Sequence, residues 1–225
     1  MLFFKDSLIA KDNSKIILTF YAHASVGIEW KGIHIYVDPV GEKYGVDFSI
    51  EPKADLILIT HPHKDHLDAK AIEVLSKADT VVYASKECSR LILCEILAPH
   101  VSKEFMGVGV YSVPAYNTTE EHLQYHPIHD EGLGYVLNIG GTNIYFAGDT
   151  EDNEDVLSLK NVDIAFLSIN QPYTMTVEQV VNVVKAICPS VLYPYHTGSQ
   201  MGETDVTPLV AMLKGFCEVR IRNMK

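Results

Sequence analysis

Apolar and polar residues recur along this chain with periods that assign most of its elements. The stretch VGIEWKGIHIYV, beginning at Val26, reads as two β-rich runs around a glycine-containing turn at Gly32, and it closes at Asp38. The same pattern returns from Tyr135 as YVLNIGGTNIYFAGD. Gly32 matches Gly141 and Ile35-Tyr36 matches Ile144-Tyr145, both at an offset of 109, and the second copy closes at Asp149. Two short apolar runs, ADLILITH (54–61) and PSVLYPYH (189–196), each end on a histidine. Continuous apolar runs of this length suit strands buried on both faces, and pairing the two extends the repeat.

Between the strands the period changes to that of a helix. DAKAIEVLSKA (68–78) has Asp68 placed as its N-cap. TVEQVVNVVKAIC (176–188) opens with a Thr176-x-x-Gln179 capping box, and its Val177, Val180, Val181, Val184 and Ile187 form one apolar stripe. Thr207-Pro208 reads as an N-cap followed by a proline at the first helical position, and Gly215 as the stop beyond the helix. Two halves, each with a hairpin, a buried strand and helices, predict a single α/β domain spanning 1–225. Its sheets would pack together with helices outside, related by an internal pseudo-two-fold repeat.

Composition narrows the function classes. The chain has 225 residues, 47% hydrophobic and 21% charged, the profile of an ordinary globular protein. Its net charge of −11 disfavours phosphate backbones and anionic membrane surfaces, so nucleic acid is excluded as a partner and a small molecule is the expected one. Four cysteines without a C-x-x-C pair point to free thiols in a reducing cytoplasm. The start, MLFFKDS, has too short an apolar run for a signal peptide, and no stretch approaches a membrane span.

The chemistry concentrates in THPHKDHLD, residues 60–68, with three histidines and two aspartates in nine positions. It follows a strand's carboxyl end, where open α/β sheets place ligands. If the segment is extended, His61 and His63 point the same way and reach one metal ion, while Asp65 and His66 face a second. Imidazole with carboxylate suits Zn²⁺, and also Mn²⁺ or Fe.

THPHKDHLD resembles the H-x-H-x-D-H signature of the metallo-β-lactamase superfamily. Further pieces follow in that family's order: Asp38 in YVDP, Asp149 in FAGDT and His196 in YPYHTG. YAHASVGIEW with His23, IYFAGDT and NQPYTM are similar to one branch, the small cytoplasmic hydrolases like ascorbate-6-phosphate lactonase, and more distantly the N-acylphosphatidylethanolamine-cleaving phospholipases. The resemblance covers roughly residues 20 to 200 and implies a four-layer αββα sandwich.

It further implies two divalent cations, zinc first, with manganese or iron as alternatives. Carried over, His61 and His63 bind the first ion and Asp65, His66 and His196 the second, with Asp149 bridging. One ligand of the first ion is open. Many relatives carry a histidine where VPAYNTT has Asn117, and the candidates here are His126, favoured, then His129 and Asn117. His23 is a possible additional ligand, and Asp38 is read as structural support. The implied activity is a metal-dependent hydrolase in which a metal-bridged hydroxide, oriented by Asp65 or Asp149, cleaves a small ester, lactone, amide or phosphodiester. The loops 39–52 and 115–131 are long and polar enough to wall a pocket, the second being the first choice for substrate recognition. Two rivals remain at this level, a metal-stabilised binding or sensing protein and an iron-dependent redox enzyme. The oligomeric state is not legible.

Overall fold

The structure, a computed structural model, describes residues 3–199 and 201–224. The chain forms two compact units: residues up to Ala98 joined by Asn223 and Met224, and Pro99–Arg222. The first unit runs β1 (Phe4–Ile9), β2 (Lys15–Ala22), β3 (Ser25–Trp30), β4 (Ile33–Val37), β5 (Leu56–Ile59), α1 (Ala69–Leu75), β6 (Val81–Ala84) and β7 (Glu95–Ile96). These strands make one sheet in chain order, antiparallel from β1 to β4 and parallel from β4 to β7.

The second unit runs β8 (Ser102–Phe105), β9 (Val108–Pro114), β10 (Leu133–Ile139), β11 (Thr142–Phe146), α2 (Glu154–Leu157), β12 (Ile164–Ser168), α3 (Val177–Ile187), β13 (Val191–Tyr195), the small ribbon β14 (Gly198–Ser199) with β15 (Gly202–Glu203), α4 (Pro208–Met212) and β16 (Glu218–Val219). Its sheet again has four antiparallel strands, β8 to β11, and then parallel β12, β13 and β16. The predicted repeat is therefore a repeat of topology. No helix among the described residues is long and apolar enough to cross a membrane.

Matching chemistry recurs at matching places. Both hairpins close with two residues at positive φ, Lys31 (49°) and Gly32 (79°) in one, Gly140 (55°) and Gly141 (81°) in the other. This geometry matches the right-handed twist of the strands it joins. Each hairpin is then pinned by an aspartate ahead of the next strand. Asp55 accepts from the His34 amide (2.7 Å), and Asp163 accepts from the Asn143 amide (2.8 Å). The return bonds, Asp55 N–H to His34 O and Asp163 N–H to Asn143 O, are 2.8 and 2.9 Å.

This register corrects one expectation. The counterpart of β5 is β12, since each pairs parallel with the second strand of its hairpin, whereas 189–196 contains β13, the equivalent of β6. Two apolar runs that end on histidine look alike, but only pairing distinguishes neighbouring parallel strands. In each unit a helix covers one sheet face. Ala71, Ile72 and Leu75 cluster with Tyr36, Ile57 and Ile59, and Val180, Val184 and Ile187 cluster with Tyr145, Ala165 and Leu192.

The caps follow the sequence with three exceptions, one being that α4 ends at Met212 with Leu213 as its C-cap, so Gly215 falls beyond the helix end and is not its stop. Asp68 accepts from Lys70 N and Ala71 N, and the Thr176/Gln179 box is complete. However, α1 stops at Leu75, where the Ser76 hydroxyl turns back to Ile72 O (2.7 Å). Thr207 makes no side-chain cap, because its hydroxyl and amide both donate to Asp205 (2.7 and 2.9 Å).

Asp55 gives a test of the first unit. Burial alone pushes its carboxyl up, but the Lys77 ammonium at 2.6 Å and the His34 amide outweigh that and hold it below the ordinary aspartate value. A depressed carboxyl stabilises the fold above its unfolded pKa, and that contribution is lost as pH falls through the folded value. Asp55→Asn is expected to cost about 1–2 kcal/mol in urea unfolding at pH 7, and progressively less as pH falls below the ordinary aspartate value. A cost independent of pH would refute the charge-based account.

Candidate metal centre

In the first unit the chain leaves β5 through a hydrogen-bonded turn. His66 N–H and Leu67 N–H both donate to His63 O, at 2.9 and 2.8 Å. The chain bends at 62–63 ahead of that turn, and the two rings converge, His61 Nε2 lying 3.0 Å from His63 Nδ1. Asp38 sits beneath them, fully buried at a left-handed φ of 44°. It accepts from Thr60 N–H (2.8 Å), Thr60 Oγ1 (2.7 Å) and His66 Nδ1 (2.8 Å). With Nδ1 committed to a carboxylate, His66 presents Nε2 as its lone-pair nitrogen. His23 enters from the β2–β3 connection at φ 56°, its amide donating to Met224 O. Its Nε2 lies 3.4 Å from Asp65 Oδ2, and Tyr44 stacks on its ring at 5.0 Å.

In the second unit Asp149 follows β11 through Gly148, at φ 64°. That turn is clamped from two neighbouring strands, with Gly148 N–H donating to Tyr195 Oη (2.9 Å) and Ser168 Oγ donating to Gly148 O (2.7 Å). His196 follows β13 directly at φ 50°, and its Nε2 is 3.2 Å from Asp149 Oδ2. The same oxygen lies 3.4 Å from His126 Nε2. His126 Nδ1 donates to Tyr173 O (2.9 Å), which directs Nε2 at the aspartate.

Of the three candidates for the open ligand, the structure brings His126 to Asp149. His129 is exposed beside Asp130, on the turn Ile128–Asp130. Asn117 is buried but braces the loop, its Nδ2 donating to His122 O (3.2 Å) and Tyr173 O (2.9 Å). The loop is further anchored by Glu151, fully buried, which accepts from Thr118 N–H (2.8 Å), Thr119 N–H and His122 Nδ1 (2.9 Å). Sequence reading missed Glu151 and Tyr173. A carboxylate two residues past a candidate aspartate ligand carries no local signal, and a carbonyl partner carries none at all.

Two ligand atoms bound about 2.0–2.2 Å from one ion at a tetrahedral angle lie about 3.3–3.5 Å apart. Two of the four pairs given above, His23–Asp65 and His126–Asp149, stand at that spacing, 3.4 Å. The other two, His61–His63 at 3.0 Å and His196–Asp149 at 3.2 Å, are closer, and each pair joins imidazole nitrogen to imidazole nitrogen or carboxylate oxygen. Nitrogens fixed by buried acceptors, with carboxylates alongside, suit a divalent cation of zinc or first-row transition type.

The model of the Beta-lactamase superfamily domain matches residues 17–196. The chain belongs to the metallo-β-lactamase superfamily. Among its superfamily relatives, a metal-dependent hydrolase of the UPF0173 group from Thermoplasma acidophilum is 32% identical over 196 residues, 82% of this chain and 84% of that protein. One from Pelotomaculum thermopropionicum is 33% identical over 193 residues, 80% and 83% of the two chains. A crystal structure of a Parabacteroides distasonis protein, provisionally named a metal-dependent hydrolase, superposes over 100% of both chains with TM-score 0.93 and 40% identity. The protein therefore has the metallo-β-lactamase fold, and the relatives named are metal-dependent hydrolases. Among the described residues, Asp38 accepts from the candidate ligand His66 and Tyr173 O from the candidate ligand His126.

Proposed function

We propose that the two units form one metallo-β-lactamase-like domain, 1–225, working as a binuclear metal-dependent hydrolase on a small ester, lactone, amide or phosphodiester. His61, His63 and His126 would hold one cation, and Asp65, His66 and His196 the other, with Asp149 shared and His23 beside the second. The observation that carries this reading is the orientation of His66 and His126, each with Nδ1 tied to a buried acceptor and Nε2 directed to the ligand cluster. When bound, two such cations, zinc or else manganese or iron, lower the pKa of the water they hold toward ~7 and polarise the group under attack.

The chain's own residues supply the rest. Asp65 and Asp149 accept hydrogen bonds from the attacking water and fix its direction. Tyr173 O and Asp38 keep the imidazoles in one tautomer through turnover. A cysteine nucleophile is not needed and is poorly supported. Cys88 is buried, with its thiol pushed up to about 12, and burial also raises Cys94 and Cys217. The four cysteines are free, which fits a reducing compartment, and we assign the protein to the cytoplasm on that basis.

Elemental analysis of protein purified without chelator, for wild type and His126→Ala together, tests the proposal. About two zinc or manganese ions per chain, falling toward one in the variant, is the expected result. Wild type that holds one ion or none after reloading would overturn it. Two ions in both proteins would remove His126 from the ligand set.

A further inference from the structure

We infer that Lys43 is a specificity-determining residue that engages an anionic group, carboxylate or phosphate, on the substrate. The inference rests on the hydrolase reading above. Lys43 lies in the 39–52 loop, on a short helical turn, Glu42–Tyr44, between Gly41 and Gly45. The loop is tied to the helix that follows the histidine motif. Asp68 Oδ2 accepts from Gly41 N–H (3.0 Å) and Glu42 N–H (3.3 Å), while its Oδ1 caps α1 through Lys70 N–H and Ala71 N–H (3.0 and 3.1 Å). A carboxylate satisfied by four backbone donors makes that turn a fixed platform rather than a loose loop.

From this platform Lys43 Nζ reaches to 3.3 Å from Asp65 Oδ2, the oxygen that also faces His23. Its ammonium lies 5.2 Å from the Tyr44 ring centroid, and Tyr44 in turn stacks on His23 with an interplanar angle of 23°. The lysine is thus held at the edge of the candidate ligands and not among them. Its side chain is 45% exposed, which leaves hydrogen-bond donors for an incoming group.

Stability does not account for this placement, since a half-exposed ion pair contributes little. Recognition does. The chain carries a net charge of −11, and the 39–52 segment holds Glu42, Asp47 and Glu51 against Lys43 as its one cation. On a surface with this acidic balance an anionic substrate group is favoured where a local cation receives it. Lys43 is such a cation, 3.3 Å from Asp65 Oδ2 at the edge of the candidate ligands.

Titration calorimetry of inorganic phosphate, and separately of acetate, into metal-loaded wild type, Lys43→Ala and Lys43→Arg tests the assignment without turnover. Binding of at least one anion is expected to weaken about ten-fold in Lys43→Ala and to recover to within about three-fold in Lys43→Arg. Whichever anion shows the loss identifies the group recognised. In parallel, p-nitrophenyl acetate and mono-p-nitrophenyl succinate share a leaving group and differ in charge. Selectivity for the anionic ester should fall about ten-fold in Lys43→Ala, through KM rather than kcat. Equal anion affinity in wild type and Lys43→Ala, or no anion binding by wild type, overturns the inference, as does an equal loss of kcat on both esters. If wild type cleaves neither ester while anion binding still depends on Lys43, hydrolysis of such esters fails and the anion assignment stands.

Discussion

Asp149→Ala is expected to lower turnover by at least about a thousand-fold and to bring bound metal to about one ion per chain or less. One carboxylate oxygen meets both His126 and His196, at 3.4 and 3.2 Å, in a side chain only 4% exposed. The preceding Gly148 is clamped by Tyr195 and Ser168, which fixes the backbone that carries this carboxylate. Asp149→Asn separates charge from shape. It keeps the volume and one oxygen but removes the negative charge that the proposed shared ligand would supply, so metal retention should fall nearly as far as in the alanine variant. Metal analysis, steady-state rates and circular dichroism on the same preparations check this. Folded Asp149→Asn protein with two ions and wild-type turnover would show that this aspartate is not a shared ligand.

The second large effect belongs to Asp38, which is not itself a candidate ligand but accepts directly from one, His66 Nδ1, at 2.8 Å. Asp38→Ala leaves the Thr60 amide, the Thr60 hydroxyl and His66 Nδ1 without their buried acceptor. Removing one partner of a buried charged network costs about 3–5 kcal/mol, a large share of the stability of a domain this size. Loss of the orienting carboxylate should also weaken metal binding by about 10–100-fold, as for other buried partners of ligating histidines. Asp38→Asn retains one acceptor oxygen and should lose metal affinity with a smaller loss of stability. Urea unfolding of the apo protein and competition with a chelator measure the two effects independently. Metal affinity within about two-fold of wild type in both variants would remove Asp38 from the role of positioning His66.

The repeat, the hairpins and the principal helix were legible because each depends on residues close in sequence. A two-residue turn with positive φ at Gly32 or at Gly140-Gly141, or a Thr176/Gln179 box, is decided by local sterics and hydrogen bonds. Where a local feature had a local competitor, the reading slipped. Thr207 could cap its helix or bond Asp205, two residues away, and it does the latter. Two apolar runs could equally match β5, and only the parallel pairing of β12 with β11 decides between them.

The sequence by itself determined the donor types, the H-x-H-x-D-H spacing, the family and the turn chemistry that ends each strand. Tertiary structure decided which of three histidines between residues 122 and 129 meets Asp149. His122 is taken by Glu151, His129 is exposed, and Tyr173 O turns His126 inward. It also decided that Asp38 serves His66 and that Lys43 reaches Asp65. The reason is physical. An imidazole's direction is set by the acceptor on its other nitrogen, and here those acceptors lie 28 and 47 residues away along the chain.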